Sequence, residues 1–481
     1  MVFNSYLFIL AFLPILLIAY FGANKIGPRW GKLALIAGSA LFYGYANLKA
    51  LLLLAASVAV NYAFARLIQH GRRKKALLFL PVAVNAGLLL ALKYANFALS
   101  NVNALLGAQI PLRNWILPVG ISFFTFQQIA YLVSVQREEI RDCALMDYLA
   151  YILYFPKLLM GPLAEPTDFI EQLNDPERKK LNWEHLAEGI KMFSFGLFKK
   201  MVLADTFAAA VSWGFARAET ATSMELILTM LSYTFEIYFD FSGYSDMAIG
   251  VSRMLNIELA MNFDSPYKAL SIRDFWKRWH ISLTKFLTKY IYIPLGGSRK
   301  GRAMTCLNTM IVFLISGLWH GANWTFLLWG ALHGLLSILD RLFEKKESKL
   351  METVRWTGTF ACVNALWLLF RAPSVGAWLQ MLKQILKFQS TAIGDGLIAA
   401  FELPELSVFA RVLRIAGKID QVRGFWMLAF FAAAFLICLI PENNYRTRTR
   451  KGFASMVFAA IAMAWSVLCL SAESVFVYFN F

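Results

Sequence analysis

Long apolar runs separated by short polar breaks are the dominant pattern of this chain. The first four runs lie near residues 6–22, 31–46, 50–66 and 76–94. A bilayer core of about 30 Å requires a helix of roughly 20 mostly apolar residues. The pattern therefore predicts four transmembrane helices within the first hundred residues.

The later apolar runs are less cleanly bounded and contain residues that break helices. These runs lie near residues 117–135, 144–162, 189–213, 224–250, 304–319, 323–341, 353–371 and 424–441, and a final span is expected at about 453–471. The breaks include Pro156, Gly161, Pro162, Pro294, Gly296 and Gly297. Non-helical backbone persists at membrane depth only where protein or a water-filled cavity satisfies its polar groups. We therefore predict an all-α, polytopic transmembrane fold with re-entrant segments around a central tunnel.

Composition supports a membrane protein. Hydrophobic residues make up 59% of the 481 residues, charged residues 16%, and the mean hydropathy is +0.55. A soluble domain carries about 45–50% apolar and about 25% charged residues. The net charge of +17 comes from Lys and Arg in short loops, so it reports membrane topology rather than nucleic-acid binding.

The basic residues also predict an orientation. They are concentrated in the breaks near 25–32 and 66–75 and in the loop 442–452, which the positive-inside rule places in the cytoplasm. The first charged side chain is Lys25, so the basic start of a signal peptide is missing and we expect the first span to be retained. Both termini are therefore predicted to be extracytoplasmic. The segment 372–423 is either a set of interfacial amphipathic helices or an ordinary loop domain.

One histidine stands out between two apolar runs, in the sequence Leu318-Trp-His-Gly-Ala-Asn-Trp324. An imidazole with an ordinary pKa of about 6.5 can take a proton from a hydroxyl and return it to a leaving group at neutral pH. His320 is therefore a candidate general base, with Trp319 and Asn323 beside it. The alternative is a core histidine bonded to a carbonyl at a helix end.

A second histidine, His280, follows Trp276 and Trp279 in a basic segment. Cations near an imidazole disfavour its charged form, so we expect His280 to stay neutral and to hydrogen-bond a ligand or the other histidine. The alternative is an interfacial helix that its Trp and Arg residues anchor.

Two carboxylates in the middle of the apolar run 224–250, Glu236 and Asp240, are candidate site residues. At four-residue spacing, Glu236, Asp240 and Tyr244 share one face of a helix. Buried carboxylates need partners, and Arg273, Lys277 or Arg278 could supply one. A structural ion pair at Asp240 is favoured over direct catalysis. No metal-ligand spacing is found, and His333 is predicted to lie on a different face from His320 if one helix carries both.

These blocks resemble the bacterial branch of the membrane-bound O-acyltransferase (MBOAT) family, which includes membrane subunits that acetylate alginate, peptidoglycan and cellulose. The resemblance runs through Met1 to Ser5, Gly120 to Phe126, Tyr238 to Gly250, Phe275 to Leu283, Gly317 to Asn323, Leu369 to Ala372 and Tyr478 to Phe481. It implies that His320 is the signature histidine and His280 its upstream companion, both lining a tunnel. The other residues predicted to line this tunnel are Trp276, Trp279, Trp319, Asn323, Tyr244 and Asp240. The chain departs from the family pattern at Phe286 to Tyr290 and at Glu165, which puts substrate preference in doubt.

The resemblance also implies a function. We expect a single integral-membrane domain, 1–481, with N-terminal helices at 1–115, a catalytic core at 116–372, and an amphipathic segment with C-terminal transmembrane helices at 373–481. In the bacterial cytoplasmic membrane it would move an acetyl group from a cytoplasmic thioester, acetyl-CoA or an acyl carrier protein, towards an extracytoplasmic polysaccharide, with no tightly bound cofactor or metal. An SGNH-type extracytoplasmic acetyltransferase is the expected partner.

Two alternatives remain at this point. The D-alanyl transfer protein of teichoic acid modification shares the two histidine positions, but such chains are shorter. A transporter of lipid-linked sugars would also be basic and polytopic, but transporters often contain internal repeats, and none is found here.

Overall fold

The protein is described by a computed structural model covering residues 1–113, 117–342, 349–414, 419, 422–471 and 476–477. These residues form helices and connecting loops, with no strand among them. The resemblance block Tyr478 to Phe481 lies outside the described residues.

The helices follow the predicted runs closely. In chain order they are α1 (Leu13–Ile26), α2 (Pro28–Ala46), α3 (Leu48–His70), α4 (Lys74–Leu106), α5 (Ile121–Gln136), α6 (Leu145–Leu153), α7 (Phe155–Leu158), α8 (Pro166–Asn174), α9 (Trp183–Phe198), α10 (Asp205–Ala216), α11 (Ser223–Met254), α12 (Ile272–Arg278), α13 (Ile281–Leu287), α14 (Gly301–His320), α15 (Trp324–Leu342), α16 (Lys349–Arg371), α17 (Val375–Lys387), α18 (Asp395–Ala399), α19 (Pro404–Val412), α20 (Phe425–Leu439), α21 (Asn444–Thr447) and α22 (Phe453–Leu468). Segments of π-helix lie at Phe8–Phe12, Lys199–Ala204 and Thr288–Tyr292.

Within the described residues, four helices are long and apolar enough to cross a membrane. They are Phe8–Ile26, Leu48–His70, Lys74–Leu106 and Gly301–His320. The other predicted runs form shorter, interrupted or more polar helices. The run 144–162 is one example, because the chain leaves helical geometry at Tyr154, just before Pro156, and divides the run into α6 and α7.

The chain divides into two compact units that are interleaved in sequence. Unit 1 contains residues 1–196, 244–261 and 448–470, and unit 2 contains residues 197–243, 262–447 and 471–481. The predicted single domain, with boundaries near 115 and 372, stays a prediction.

In unit 1, helices α9 and α11 approach each other at two glycines. A Cβ atom on Gly189 would lie 2.5 Å from the carbonyl oxygen of Gly250, and one on Gly250 would lie 2.6 Å from that of Gly189. Such distances leave no room for a side chain, so these backbones pack in direct contact. Nearby, Arg253 donates to Glu188 at 2.8 Å.

In unit 2, helices α14 and α15 form a tight antiparallel hairpin. A Cβ atom on Gly317 would lie 2.3 Å from the carbonyl oxygen of Phe326, and one on Gly330 would lie 2.4 Å from that of Phe313. The two glycines therefore allow the helix backbones to touch. This contact fixes the turn of the hairpin, where His320 lies.

Candidate active site

His320 is the last residue of α14, at the turn of the hairpin. The helix ends because Gly321 is extended, with φ −165° and ψ 154°. The next helix begins at Trp324, and the Asn323 side-chain oxygen accepts a hydrogen bond from the Thr325 N–H at 3.0 Å. Asn323 thus satisfies a free N–H group in the first turn of α15. The sequence Gly321 to Asn323 creates the turn that places the imidazole.

Aromatic rings surround the His320 imidazole. Its centroid lies 4.9 Å from Trp319, 5.2 Å from Trp329 and 5.3 Å from Phe370, each in an edge-to-face arrangement. The residue is 3% exposed. An imidazole in so apolar a setting interacts strongly with any charge that develops near it, because water does not screen the interaction.

His280 occupies a strained backbone position between α12 and α13. Its φ of 45° and ψ of 52° lie in the left-handed region, which residues other than glycine, asparagine and aspartate seldom adopt. Strain of this kind persists where surrounding contacts enforce it, and it is concentrated at functional sites. The conformation turns the chain so that the imidazole is fully buried.

Asn262 determines which ring nitrogen of His280 carries the proton. The Asn262 side-chain oxygen accepts from the Ser282 N–H at 3.2 Å and from the Ser282 hydroxyl at 2.9 Å, which identifies that atom as the acceptor. The same oxygen lies 3.2 Å from His280 Nδ1, so Nδ1 must donate. In the neutral ring, Nε2 then has a free lone pair, and no described residue supplies a hydrogen-bond partner for it.

Burial keeps this ring neutral. It lowers the pKa of His280 to about 3, because the charged form would lose its hydration. The expected neutral state is therefore found, but the expected cause, repulsion by neighbouring cations, is wrong. Arg278, the nearest of these residues in sequence, donates to Asp274 at 2.9 Å instead.

The two histidines share one neighbour, the Trp319 indole. Ring centroids are 6.0 Å apart for His280 and Trp319 and 4.9 Å apart for Trp319 and His320. The side of the His280 ring is also covered by Phe241, at 4.7 Å. Trp279 joins the same cluster by packing on Phe263 at 5.0 Å, next to Phe241, and Trp276 joins it by packing on Trp329 at 5.6 Å. Five of the predicted site residues thus lie in one aromatic cluster of unit 2.

A third histidine, His333, also belongs to this cluster. The Trp276 indole N–H donates to His333 Nδ1 at 3.2 Å. Trp329 then connects the rings, with centroids 4.7 Å from His333 and 5.2 Å from His320. The turn at Gly321 separates α14 from α15, so the helical-face argument does not apply to these two residues, and both imidazoles contact Trp329. That they do not share a metal stays a prediction.

A cavity of about 250 Å³ lies beside this cluster, between α12, α14 and α15. Trp276, Ser316 and Ser337 form part of its wall. Three cations, Arg273, Lys277 and Arg341, also line it. His320 is not part of the lining. Two indoles connect the cavity wall to His320. Trp276 in the wall packs on Trp329, with ring centroids 5.6 Å apart, and Trp329 contacts His320.

Comparison with known proteins identifies the family. The model of "MBOAT, membrane-bound O-acyltransferase family" matches residues 35–372. The chain belongs to this family. It is therefore an O-acyltransferase, an enzyme rather than the transporter considered above, and the predicted all-α polytopic membrane fold is confirmed. The re-entrant segments and the tunnel stay a prediction.

Similar proteins are known from several bacteria. The peptidoglycan O-acetyltransferase of Helicobacter pylori is 35% identical over all of this chain and 98% of its own length. The probable alginate O-acetylase AlgI of Pseudomonas aeruginosa is 37% identical over 82% of this chain and 76% of its own. The teichoic acid D-alanyltransferase of Streptococcus thermophilus is 28% identical over 52% of this chain and 67% of its own.

Asp240 of this MBOAT protein forms a buried ion pair, but with a different partner from those expected. Lys200, in the π-helical segment Lys199–Ala204, donates to Asp240 at 2.6 Å and also pairs with Asp205 at 2.9 Å. The Val477 N–H donates to the second Asp240 oxygen at 3.0 Å. The proposed pairing with Arg273, Lys277 or Arg278 is therefore wrong, because Lys200 neutralises Asp240 from within unit 2.

Tyr244 belongs to unit 1, unlike the other candidate residues. Its ring stacks on that of Phe3, with centroids 5.0 Å apart. Phe3 itself contacts Phe8 and Phe42. The N-terminal resemblance block thus packs on the same helix that carries Asp240, and a lining role for Tyr244 stays a prediction.

Proposed function

We propose that this enzyme moves acetyl groups from a cytoplasmic thioester towards an extracytoplasmic polysaccharide, with His320 as its general base. The observation that carries the proposal is the position of His320. It is buried against three aromatic rings at the turn of α14 and α15, two indoles away from a cavity with a cationic lining.

The chemistry needs one proton to move twice. An acceptor hydroxyl oxygen attacks the thioester carbonyl carbon while His320 takes the hydroxyl proton. The tetrahedral intermediate then collapses, the carbon–sulfur bond breaks, and the imidazolium returns the proton to the departing sulfur. The products are an ester and a free thiol, so no other reactant is required.

His280 is suited to positioning rather than to proton transfer. Its pKa of about 3 makes it a weak base, yet the free lone pair on Nε2 can accept a hydrogen bond from a hydroxyl. The rigid contacts of Nδ1 with Asn262 hold that lone pair in a fixed direction. We infer that His280 orients a substrate hydroxyl or a bound water near Trp319.

The cavity beside Trp276 fits the thioester donor. Coenzyme A and acyl carrier proteins both present the thiol on a phosphate-bearing pantetheine arm. Arg273, Lys277 and Arg341 can bind the phosphate, and the hydroxyls of Ser316 and Ser337 can bond to the amides of the arm.

The acceptor is inferred from the relatives. Relatives above 30% identity include proteins named as acetylases of peptidoglycan and alginate, which align over most of this chain. The relative named as a D-alanyltransferase covers only 52% of it. We therefore favour acetylation of a cell-envelope polysaccharide. The proposal also includes an extracytoplasmic SGNH-type partner that completes the modification, and extracytoplasmic termini, which rest on the positive-inside rule.

The proposal can be tested in the native bacterium. A deletion strain carrying wild-type, His320→Ala or His70→Ala protein is compared by the acetate that mild base releases from its envelope polysaccharide. His70 is an exposed histidine at the end of α3 and serves as the matched control. Released acetate should vanish only for His320→Ala, at equal amounts of membrane-inserted protein. Retained acetate would contradict the role of His320.

Membrane vesicles distinguish the donors. Wild-type vesicles are given acetyl-CoA, an acetylated carrier protein or a D-alanylated carrier protein, and the free thiol that forms is measured. Thiol release from an acetyl donor that depends on His320 supports the proposal. Release from the D-alanylated carrier alone would instead support teichoic acid modification.

A further inference from the structure

Unit 1 contains a second cavity, of about 720 Å³, far along the chain from the site residues. It lies between the end of α1 and the loop that follows α8. Its lining combines three lysines, Lys25, Lys179 and Lys180, with the apolar side chains of Ile18 and Phe21. No acidic residue is among the lining residues.

The positive charge of this cavity is poorly balanced. No described residue pairs with Lys25, and Lys180 meets Glu177 only at 3.6 Å, with both side chains more than three-quarters exposed. The Lys179 ammonium donates to the backbone carbonyl of Leu173 rather than to a carboxylate. Burial, and then the nearby Lys32 cation, lowers the pKa of Lys179 to about 8. Asp147 and Asp175 oppose this shift only in part, and they pair with Lys32 and Arg178.

The apolar wall belongs to a candidate membrane span. Ile18 is 75% exposed on the span Phe8–Ile26, and Lys25 lies seven residues further along it. Seven residues of helix rise about 10 Å, which is enough to reach from the acyl region into the head-group region, about 5–7 Å thick in each leaflet. The break after this span is also one that the positive-inside rule places in the cytoplasm.

We propose that this cavity binds an anionic phospholipid of the cytoplasmic leaflet. The lipid phosphate lies among Lys25, Lys179 and Lys180, and one acyl chain runs along Ile18. Basic pockets at the cytoplasmic ends of membrane helices bind such head groups, and each nearby lysine strengthens binding. This site is independent of the acyl-transfer chemistry at His320.

The test is lipid binding to the purified full-length protein in neutral detergent, measured by native mass spectrometry. Phosphatidylglycerol is compared with phosphatidylcholine, and wild type with Lys25→Gln/Lys179→Gln/Lys180→Gln. The matched control, Arg72→Gln/Arg73→Gln/Lys75→Gln, removes the same charge from exposed positions in another basic break. A double variant, Lys25→Gln/Lys180→Gln, spares the half-buried Lys179 and guards against misfolding.

We expect wild type to prefer phosphatidylglycerol, the first triple variant to bind it at least about tenfold more weakly, and the control to bind it as wild type does. The double variant should show an intermediate loss. Equal losses in both triple variants, or equal binding of phosphatidylcholine, would overturn the proposal. Displacement of the lipid by millimolar inorganic phosphate would assign the pocket to a soluble phosphate instead, and lysine-dependent binding of an acidic carrier protein would assign it to protein docking.

Discussion

Lys200 provides a quantitative test of the buried ion pair in unit 2. The side chains of Lys200 and Asp240 are 2% and 1% exposed, so neither charge is hydrated. Replacing Lys200 by methionine keeps the length of the side chain but leaves Asp240 with one hydrogen bond from the described residues, donated by the Val477 N–H. Removing one partner of a buried pair costs roughly 3–5 kcal/mol, and we expect a loss of that size.

Asp240→Asn should cost less, because its partner keeps a second carboxylate. In that variant Lys200 remains 2.9 Å from Asp205, whose side chain is 27% exposed. The loss is then closer to that of one charged hydrogen bond, about 1.5–3 kcal/mol. The double variant Lys200→Met/Asp240→Leu should be more stable than Lys200→Met alone, because it leaves no unpaired charge at Asp240.

The assay is reversible unfolding in mixed micelles, followed by tryptophan fluorescence, with acetyl transfer measured at equal amounts of folded protein. Lys451→Met is the control, since Lys451 and Glu184 pair at 2.5 Å with side chains 77% and 53% exposed, and it should unfold as wild type does. We expect stability to increase in the order Lys200→Met, Asp240→Asn, wild type, with smaller changes in turnover. A variant that unfolds normally but has lost all transfer would refute the structural role of the pair.

Three further predictions concern the hairpin and the histidines. Gly317→Ala should lower the yield of folded monomer in gel filtration, because its Cβ would lie 2.3 Å from a facing carbonyl oxygen. The control Gly358→Ala has open space around its Cβ and should leave the yield unchanged. His280→Gln should flatten the acid side of the stability profile. With a folded pKa of about 3 and an unfolded pKa of about 6.5, wild type loses stability as the pH falls below 6.5, by about 2 kcal/mol at pH 5. If the ring were charged in the folded protein, unfolding at pH 6.5 and at pH 5 would show no difference between the two proteins. Trp276→Phe removes the indole donor to His333 and should cost about 1–3 kcal/mol in the same unfolding assay, and an unchanged midpoint would mean that this bond is not formed.

The sequence was sufficient to locate His320 and the turn that carries it. Gly321 and Asn323 interrupt two apolar runs, and these residue types end one helix and begin the next. Most helix positions were predicted in the same way, because membrane spans are set by apolar length alone. The contacts that surround the site are harder to predict from the sequence.

Lys200 shows what a sequence pattern omits. A lysine inside the apolar run 189–213 is a signal by itself, since ionisable groups at such positions are costly and need partners. Its partner, however, lies 40 residues away in sequence, and nothing in the spacing selects Asp240 over other acids. The sequence suggests Arg273, Lys277 or Arg278 as partners instead. In the fold, Arg278 donates to Asp274, and Arg273 and Lys277 line the cavity beside Trp276.

His280 and His333 depend on backbone geometry that spacing does not encode. The left-handed conformation of His280 is rare for its residue type, so only the folded contacts of Asn262 and Ser282 reveal it. The helical-face argument for His320 and His333 applies only if one straight helix carries both. The extended Gly321 between α14 and α15 removes that condition, and the absence of a shared metal site stays a prediction.

Replacing His320 by alanine tests its role as the general base most directly. The measurement is the single-turnover rate of acetyl transfer by the purified protein in liposomes, beside wild type and His280→Ala. Measured at equal amounts of folded protein, the His320→Ala rate should fall roughly 100- to 10,000-fold, with a smaller fall for His280→Ala. A rate for His320→Ala within tenfold of wild type would contradict the assignment.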